Sequence, residues 1–151
     1  MRRRLRGLTE ATEYGQVFKT GKPVCVRFVR STEGAPDFGE RYQQHIEPAG
    51  RYMIHNPEPG DLPRRWEKGE VCFKKPLVLE FNEDPGGGYD AKSWKVWLHD
   101  KYKRKGRALS KHLRCRLGYD GIVTVKAGVL GRGATWTAEI VDLTGVKCGR
   151  R

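Results

Sequence analysis

The sequence predicts a single α+β domain with a mixed or antiparallel sheet and two to three helices. Three observations carry that prediction. The chain has 151 residues, which suits one core. Short β-branched and aromatic runs precede and follow one stretch of helical periodicity, so strands and helices do not alternate as in a doubly wound sheet. No internal repeat is visible, and no window approaches the roughly 18 apolar residues of a membrane span. The boundaries are 1–151 for the domain, with a basic segment at 1–21 and a core at 24–144.

Taken in order, residues 1–21 carry Leu5, Leu8 and Ala11 at helical spacing, and "TGKP" then breaks the run, which predicts a short basic helix. "VCVRFVRS" (24–31) reads as a strand with Arg27 and Arg30 on opposite faces, so one of them faces the interior or a cleft. Residues 32–50 are turn-rich, and "RYMIHN" (51–56) reads as a strand stopped by "PEPGDLP". "EVCFKKPLVLEF" (70–81) is a strand region in which Pro76 demands a bulge, an edge or a break. "NEDPGGGYD" is a loop.

From Ala91 the spacing turns helical. Trp94, Trp97, Leu98 and Tyr102 share a stripe and read as core, Gly106 separates a second helix, and Leu109, Leu113 and Leu117 continue the pattern. Gly118 follows as a C-terminal cap and "YDGIVTV" begins a strand at once. A glycine-rich connection then leads to "WTAEIVDLT" (136–144). In that last strand, period two puts Ile140 and Asp142 on one face and Glu139, Val141 and Leu143 on the other. Glu139 therefore shares its face with apolar residues, and it must either turn to solvent or be held by partners, because burying it unpaired costs several kcal/mol.

Lys and Arg total 30 against 18 Asp and Glu, a formal charge of +12, which predicts attraction to polyanions, to an acidic protein surface or to a small ligand's phosphates. The run "KYKRKGRALSKHLRCR" (101–116) has eight basic residues and no acid. Lys101, Lys103, Arg104, Lys105, Arg107, Lys111 and Arg114 are its candidates for nucleic acid or an acidic partner. Cys25, Cys72, Cys115 and Cys148 are far apart, with no C-x-x-C pair and no histidine at zinc-finger spacing. That pattern predicts neither a structural zinc nor a disulfide framework, and a reduced, cytoplasmic protein with no membrane segment. Rossmann, P-loop, zincin and nucleophile-elbow motifs are missing from the sequence, and its four histidines are scattered.

One ordered set of segments remains: "FVRST" (28–32), "GRYMIHNPE" (50–58), "KPLVLEF" (75–81), "LSKHLRCRLGYDGIV" (109–123) and "TAEIVDL" (137–143). In order and spacing this set resembles the ADP-ribosyltransferase fold, particularly its small phage-type and toxin-type members, over residues 24–144. The resemblance implies a split-sheet core and a site that cleaves NAD and passes ADP-ribose to a macromolecular acceptor, protein or nucleic acid, without a metal. Glu139 would be the catalytic carboxylate. Arg30, with Arg27 as the alternative, would hold the pyrophosphate or ribose, and Tyr52 would stack on the nicotinamide.

Two departures stand out. Arginine-modifying members carry Glu or Gln two residues before the catalytic glutamate, where this chain has Thr137, so an arginine acceptor is not expected. The second strand lacks the S-T-S triplet and offers Tyr52, Met53, Ile54 and His55, so Tyr52 or His55 would take over that role. These departures keep an alternative open: a basic binding protein, for nucleic acid or host machinery, that has the fold without the chemistry.

Overall fold

Among the described residues of the computed structural model, eight strands form one mixed sheet in the order β1-β2-β6-β7-β8-β4-β3-β5. They are β1 Leu8–Thr12, β2 Gly15–Lys19, β3 Val24–Ser31, β4 Arg51–His55, β5 Trp66–Phe73, β6 Pro76–Phe81, β7 Gly121–Lys126 and β8 Glu139–Asp142. The helices are α1 Ser93–Tyr102 and α2 Gly106–Lys111, the latter running into a π-helical turn at His112–Arg116. The structure describes residues 8–12, 15–19, 22–32, 46–56, 60–81, 93–126 and 139–149.

The expected N-terminal helix is corrected: residues 8–12 and 15–19 are two antiparallel strands, the second pairing with β6 from Gly15↔Phe81 to Lys19↔Leu77. Pairing along a whole sheet edge supplies hydrogen bonds and cross-strand contacts that outweigh a weak local helix preference.

Pro76 marks a break between two strands. Only Lys74 and Lys75 separate β5 from β6, yet β5 lies at the far edge of the sheet. Across a flat sheet the five intervening strand spacings would put them ~24 Å apart. The link reaches at most ~11 Å. The sheet must therefore curl until its two flanks meet.

Asp120 pins the meeting point: its carboxylate accepts from the Lys74 amide at 2.7 Å and the Lys75 amide at 3.0 Å. Its own amide donates to Lys75 O at 3.1 Å, and its carbonyl accepts from the Leu143 amide at 3.1 Å. Gly121 is required beside it, because a Cβ there would stand 2.4 Å from the Phe73 ring.

Curling makes two cores. Met53, Phe73, Val78, Val123 and Ile140 pack on the inner face with Val26, Phe28 and Val71 around them. On the outer face the helices cover Tyr52, Leu77, Leu79, Ile122, Val141 and Leu143. Trp94, Leu98, Leu109 and Leu113 are essentially fully buried there, each contributing ~1.5–3 kcal/mol by leaving water. That burial, rather than propensity, holds such short helices. The helical run ends as the sequence predicts, at Gly118, with the Tyr119 amide reaching back to Leu113 O at 2.9 Å.

The cysteines also depart from expectation. They form two disulfides, Cys25–Cys72 and Cys115–Cys148. Sequence distance hid the first pair, which the β3–β5 register places directly opposite one another. The second fastens the tail after β8 to the π-helical turn.

Candidate functional site

The parity of β8 carries over to the structure. Ile140 packs in the inner core, whereas Val141 and Leu143 pack in the outer one. Glu139 shares their side and is 6% exposed. The strand ladder between β7 and β8 ends at Val123↔Ile140. Beyond it, the Thr124 hydroxyl accepts from the Glu139 amide at 2.6 Å and donates to the Glu139 carbonyl at 2.7 Å. A side chain thus replaces the next ladder pair and fixes the backbone that carries the carboxylate.

The partners of that carboxylate come from elsewhere in the fold. Lys95, the third residue of α1, has its Nζ 3.1 Å from Glu139 Oε1 and 2.8 Å from Glu47 Oε2. Lys95 and Glu47 have fully buried side chains, and Glu139 retains 8% exposure. The ammonium also lies 5.3 Å from the Trp94 ring centroid and 5.5 Å from that of Tyr52, an arrangement that adds cation–π attraction. One cation thus serves two carboxylates in a low-dielectric setting, where charge acts strongly. Of the three, Glu139 is the group that still meets solvent.

Glu47 is held by its own segment. Gly106 N donates to Glu47 O at 3.2 Å and Ala49 N to Gly106 O at 3.4 Å. Tyr52 Oη donates to Pro48 O at 2.6 Å, and Ser110 Oγ donates to Ala49 O. Gly50 lets this segment lie against β8, since a Cβ there would stand 2.5 Å from Val141 Cγ1.

The residues expected at the site divide between the two faces of the sheet. Tyr52 is beside Glu139's strand, on the same face, but is only 2% exposed with its hydroxyl bonded, so its ring supports the site from below. Arg27 is exposed on β3. By register it shares the Glu139 face, through Val29↔Ile54 and Ile54↔Glu139. Arg30 projects to the opposite face with Phe28 and Val26, and its guanidinium is 3.6 Å from Glu67. His55 shares that inner face with Met53, and its Nδ1 donates to Thr124 O at 3.0 Å. Burial holds its pKa below the ordinary 6.5, partly offset by that hydrogen bond. Thr137 lies outside the described residues. The structure thus unites Glu139 and Tyr52, places Arg27 on their side two strands away, and separates Arg30 and His55 from them.

Lys95 and Glu47 were missed by sequence reasoning. A signal for Lys95 existed: at 100° per residue it falls about 20° from Tyr102 on the helical wheel, at the edge of the apolar stripe. Glu47, between Ile46 and Pro48 in a turn-rich stretch, offered none.

In the basic run, Lys101, Lys103, Arg104, Lys105, Arg107 and Lys111 are exposed and Arg114 is half-buried. Lys101 Nζ lies 5.5 Å from the Trp97 ring centroid and 5.8 Å from that of Tyr102. Arg104 donates to Tyr102 O at 2.9 Å. His112, within the run, has its pKa lowered by burial and then by repulsion from Arg104 and Arg116.

Among the described residues, Cys25, Glu70 and Cys72 bring ligand-type atoms together, but the two sulfurs are bonded to each other. No helix among them is long and apolar enough to cross a membrane. No family model, curated protein or solved structure matches the chain.

Proposed function

We propose that the chain is an ADP-ribosyltransferase-like enzyme that transfers ADP-ribose from NAD to a macromolecular acceptor, with Glu139 as its catalytic carboxylate. One observation supports this reading above others. The strands carrying "TAEIVDL", "GRYMIHNPE" and "FVRST" are neighbours, in the order β8-β4-β3, with Glu139 at the head of β8. Those are the segments that the resemblance assigns to the NAD site.

The chemistry needs a fixed negative charge. As the bond from ribose C1′ to nicotinamide breaks, nicotinamide leaves with the bonding pair and positive charge develops on the sugar. A preorganised carboxylate in a poorly solvated position stabilises that charge without reorganising. Glu139 fits the role because backbone bonds through Thr124 fix its strand end and Lys95 fixes its side chain. Lys95 is then a positioning residue. Its ammonium is shared with Glu47, 2.8 Å away, so the pair with Glu139 is not exclusive. Arg27, on the same side, suits the pyrophosphate better than Arg30, which is engaged by Glu67.

Labelled NAD incubated with cell extract and the purified protein tests this reading. Label should enter an acceptor with the wild type and fall at least ~100-fold with Glu139→Gln, the size of loss seen when one stabilising group is removed. Equal labelling by a folded Glu139→Gln protein would refute the assignment.

A second reading, a polyanion-binding protein, is favoured by the exposed basic run at 101–116. It predicts DNA binding that weakens steeply with salt, in a protein that consumes no NAD. Salt-insensitive binding would count against it.

A further inference from the structure

A cavity of about 340 Å³ opens on the helical side, lined by Ala49, Arg107, Ser110, Lys111, Gly145, Val146 and Lys147. Three of its lining residues are cations and none is a carboxylate. Arg107 and Lys111 are one helical turn apart, so their side chains share a face of α2. Lys147 comes from a separate stretch of wall, the segment after β8.

That wall is not a loose tail. Cys148, the next residue, is bonded to Cys115 in the π-helical turn. Val146 packs against the outer core, and its amide donates to Leu143 O at 3.0 Å. The floor is equally fixed, because Ser110 Oγ donates to Ala49 O. Like charges held around one concavity repel each other, and an anion seated between them relieves that repulsion. Ala49 and Val146 add apolar wall, and the volume lies at the small end of the ~300–1,000 Å³ range of ligand pockets.

We infer that this cavity is a binding site for a phosphate-bearing nucleotide, with Arg107, Lys111 and Lys147 holding the phosphate and Ala49 and Val146 packing against the remainder. The cation set and the apolar wall together select an organic phosphate over a bare anion. The Cys115–Cys148 disulfide keeps Lys147 in place, so affinity depends on that bond. The site is separate from Glu139 and does not rest on the transferase reading. The nucleotide is either free or part of a strand, and two probes distinguish these sources.

Isothermal titration of the oxidised protein with AMP, and separately with a short single-stranded oligodeoxynucleotide, tests the inference. At least one probe should bind, and Arg107→Ala/Lys111→Ala/Lys147→Ala should weaken it at least tenfold while the thermal midpoint stays near wild type. Arg64→Ala/Lys68→Ala/Lys74→Ala removes the same charge elsewhere and should weaken it less than threefold. Cys148→Ser, which frees the tail, should weaken it severalfold. AMP binding identifies a free nucleotide, and oligonucleotide binding without AMP binding identifies a strand.

The inference is overturned if neither probe binds at millimolar concentration. Equal losses in the two triple variants would overturn it too, because they would mean diffuse charge attraction. Binding unchanged by Cys148→Ser would overturn the dependence of the site on the Cys115–Cys148 disulfide.

Discussion

Replacing Lys95 by Met should destabilise the fold more than any surface substitution. The ammonium is fully buried, 2.8 Å from Glu47 and 3.1 Å from Glu139. Met fills much of the same volume but leaves two carboxylates facing each other without a cation. Breaking a buried pair in this way costs ~3–5 kcal/mol, because the stranded charge keeps its desolvation penalty. In a chain of this size ~1 kcal/mol shifts the thermal midpoint by ~2–4 °C. The expected drop is therefore about 6–20 °C in a circular-dichroism melt with the disulfides intact. Lys68→Met, at an exposed position on β5, is the control and should move the midpoint by about 2 °C at most. The combined variant Glu47→Leu/Lys95→Met/Glu139→Leu should recover most of the loss, since apolar replacement of a whole buried ionic group is often near neutral. A Lys95→Met midpoint within 2 °C of wild type would refute the buried-triad reasoning.

Three further predictions follow from other parts of the structure. Gly121→Ala should cost ~1–3 kcal/mol by overpacking, because its Cβ would meet the Phe73 ring at 2.4 Å; adding Phe73→Leu should restore part of the loss in the same melt, and an unchanged midpoint for the single variant would contradict the close approach. His55 and His112 both have lowered pKa values, so the unfolded chain binds protons first as pH falls below about 6.5, and their contribution to stability, complete above that pH, is lost as pH drops through the folded values. NMR titration should place both midpoints below 6.5; high salt should raise His112, which Arg104 and Arg116 repel, more than His55, whose shift arises from burial. Thiol titration of the unfolded protein without reductant should find no free cysteine, and four after reduction, matching the two disulfides; free thiols in the unreduced protein would contradict the pairing.

What was legible in the sequence was local. Alternation around Ile140 assigned Glu139 its face, the Trp94–Trp97–Leu98 stripe marked the helical core, and the glycine after Leu117 marked the helix end. The opposite faces of Arg27 and Arg30 were also readable, although not which of them shared a face with Glu139. What escaped depends on pairings between distant segments. Cys25 and Cys72 meet only through the β3–β5 register, and the N-terminal strands gain their structure from the edge at β6. Asp120 looked like part of a helix-to-strand junction, yet it fastens the corner that lets the sheet curl. Lys95 was hidden because a charged residue at the margin of an apolar stripe usually extends to water. Here the fold supplies two carboxylates instead.

Nicotinamide release from NAD by the purified protein, wild type beside Glu139→Gln, with the melt of each recorded, tests the role of Glu139 most directly. Gln keeps the shape at position 139 and leaves Lys95 paired with Glu47. With Glu139 as the catalytic carboxylate, the wild type should release nicotinamide and the variant should lose that release while remaining folded. Release undiminished by Glu139→Gln, or none from the wild type with or without extract, would contradict it.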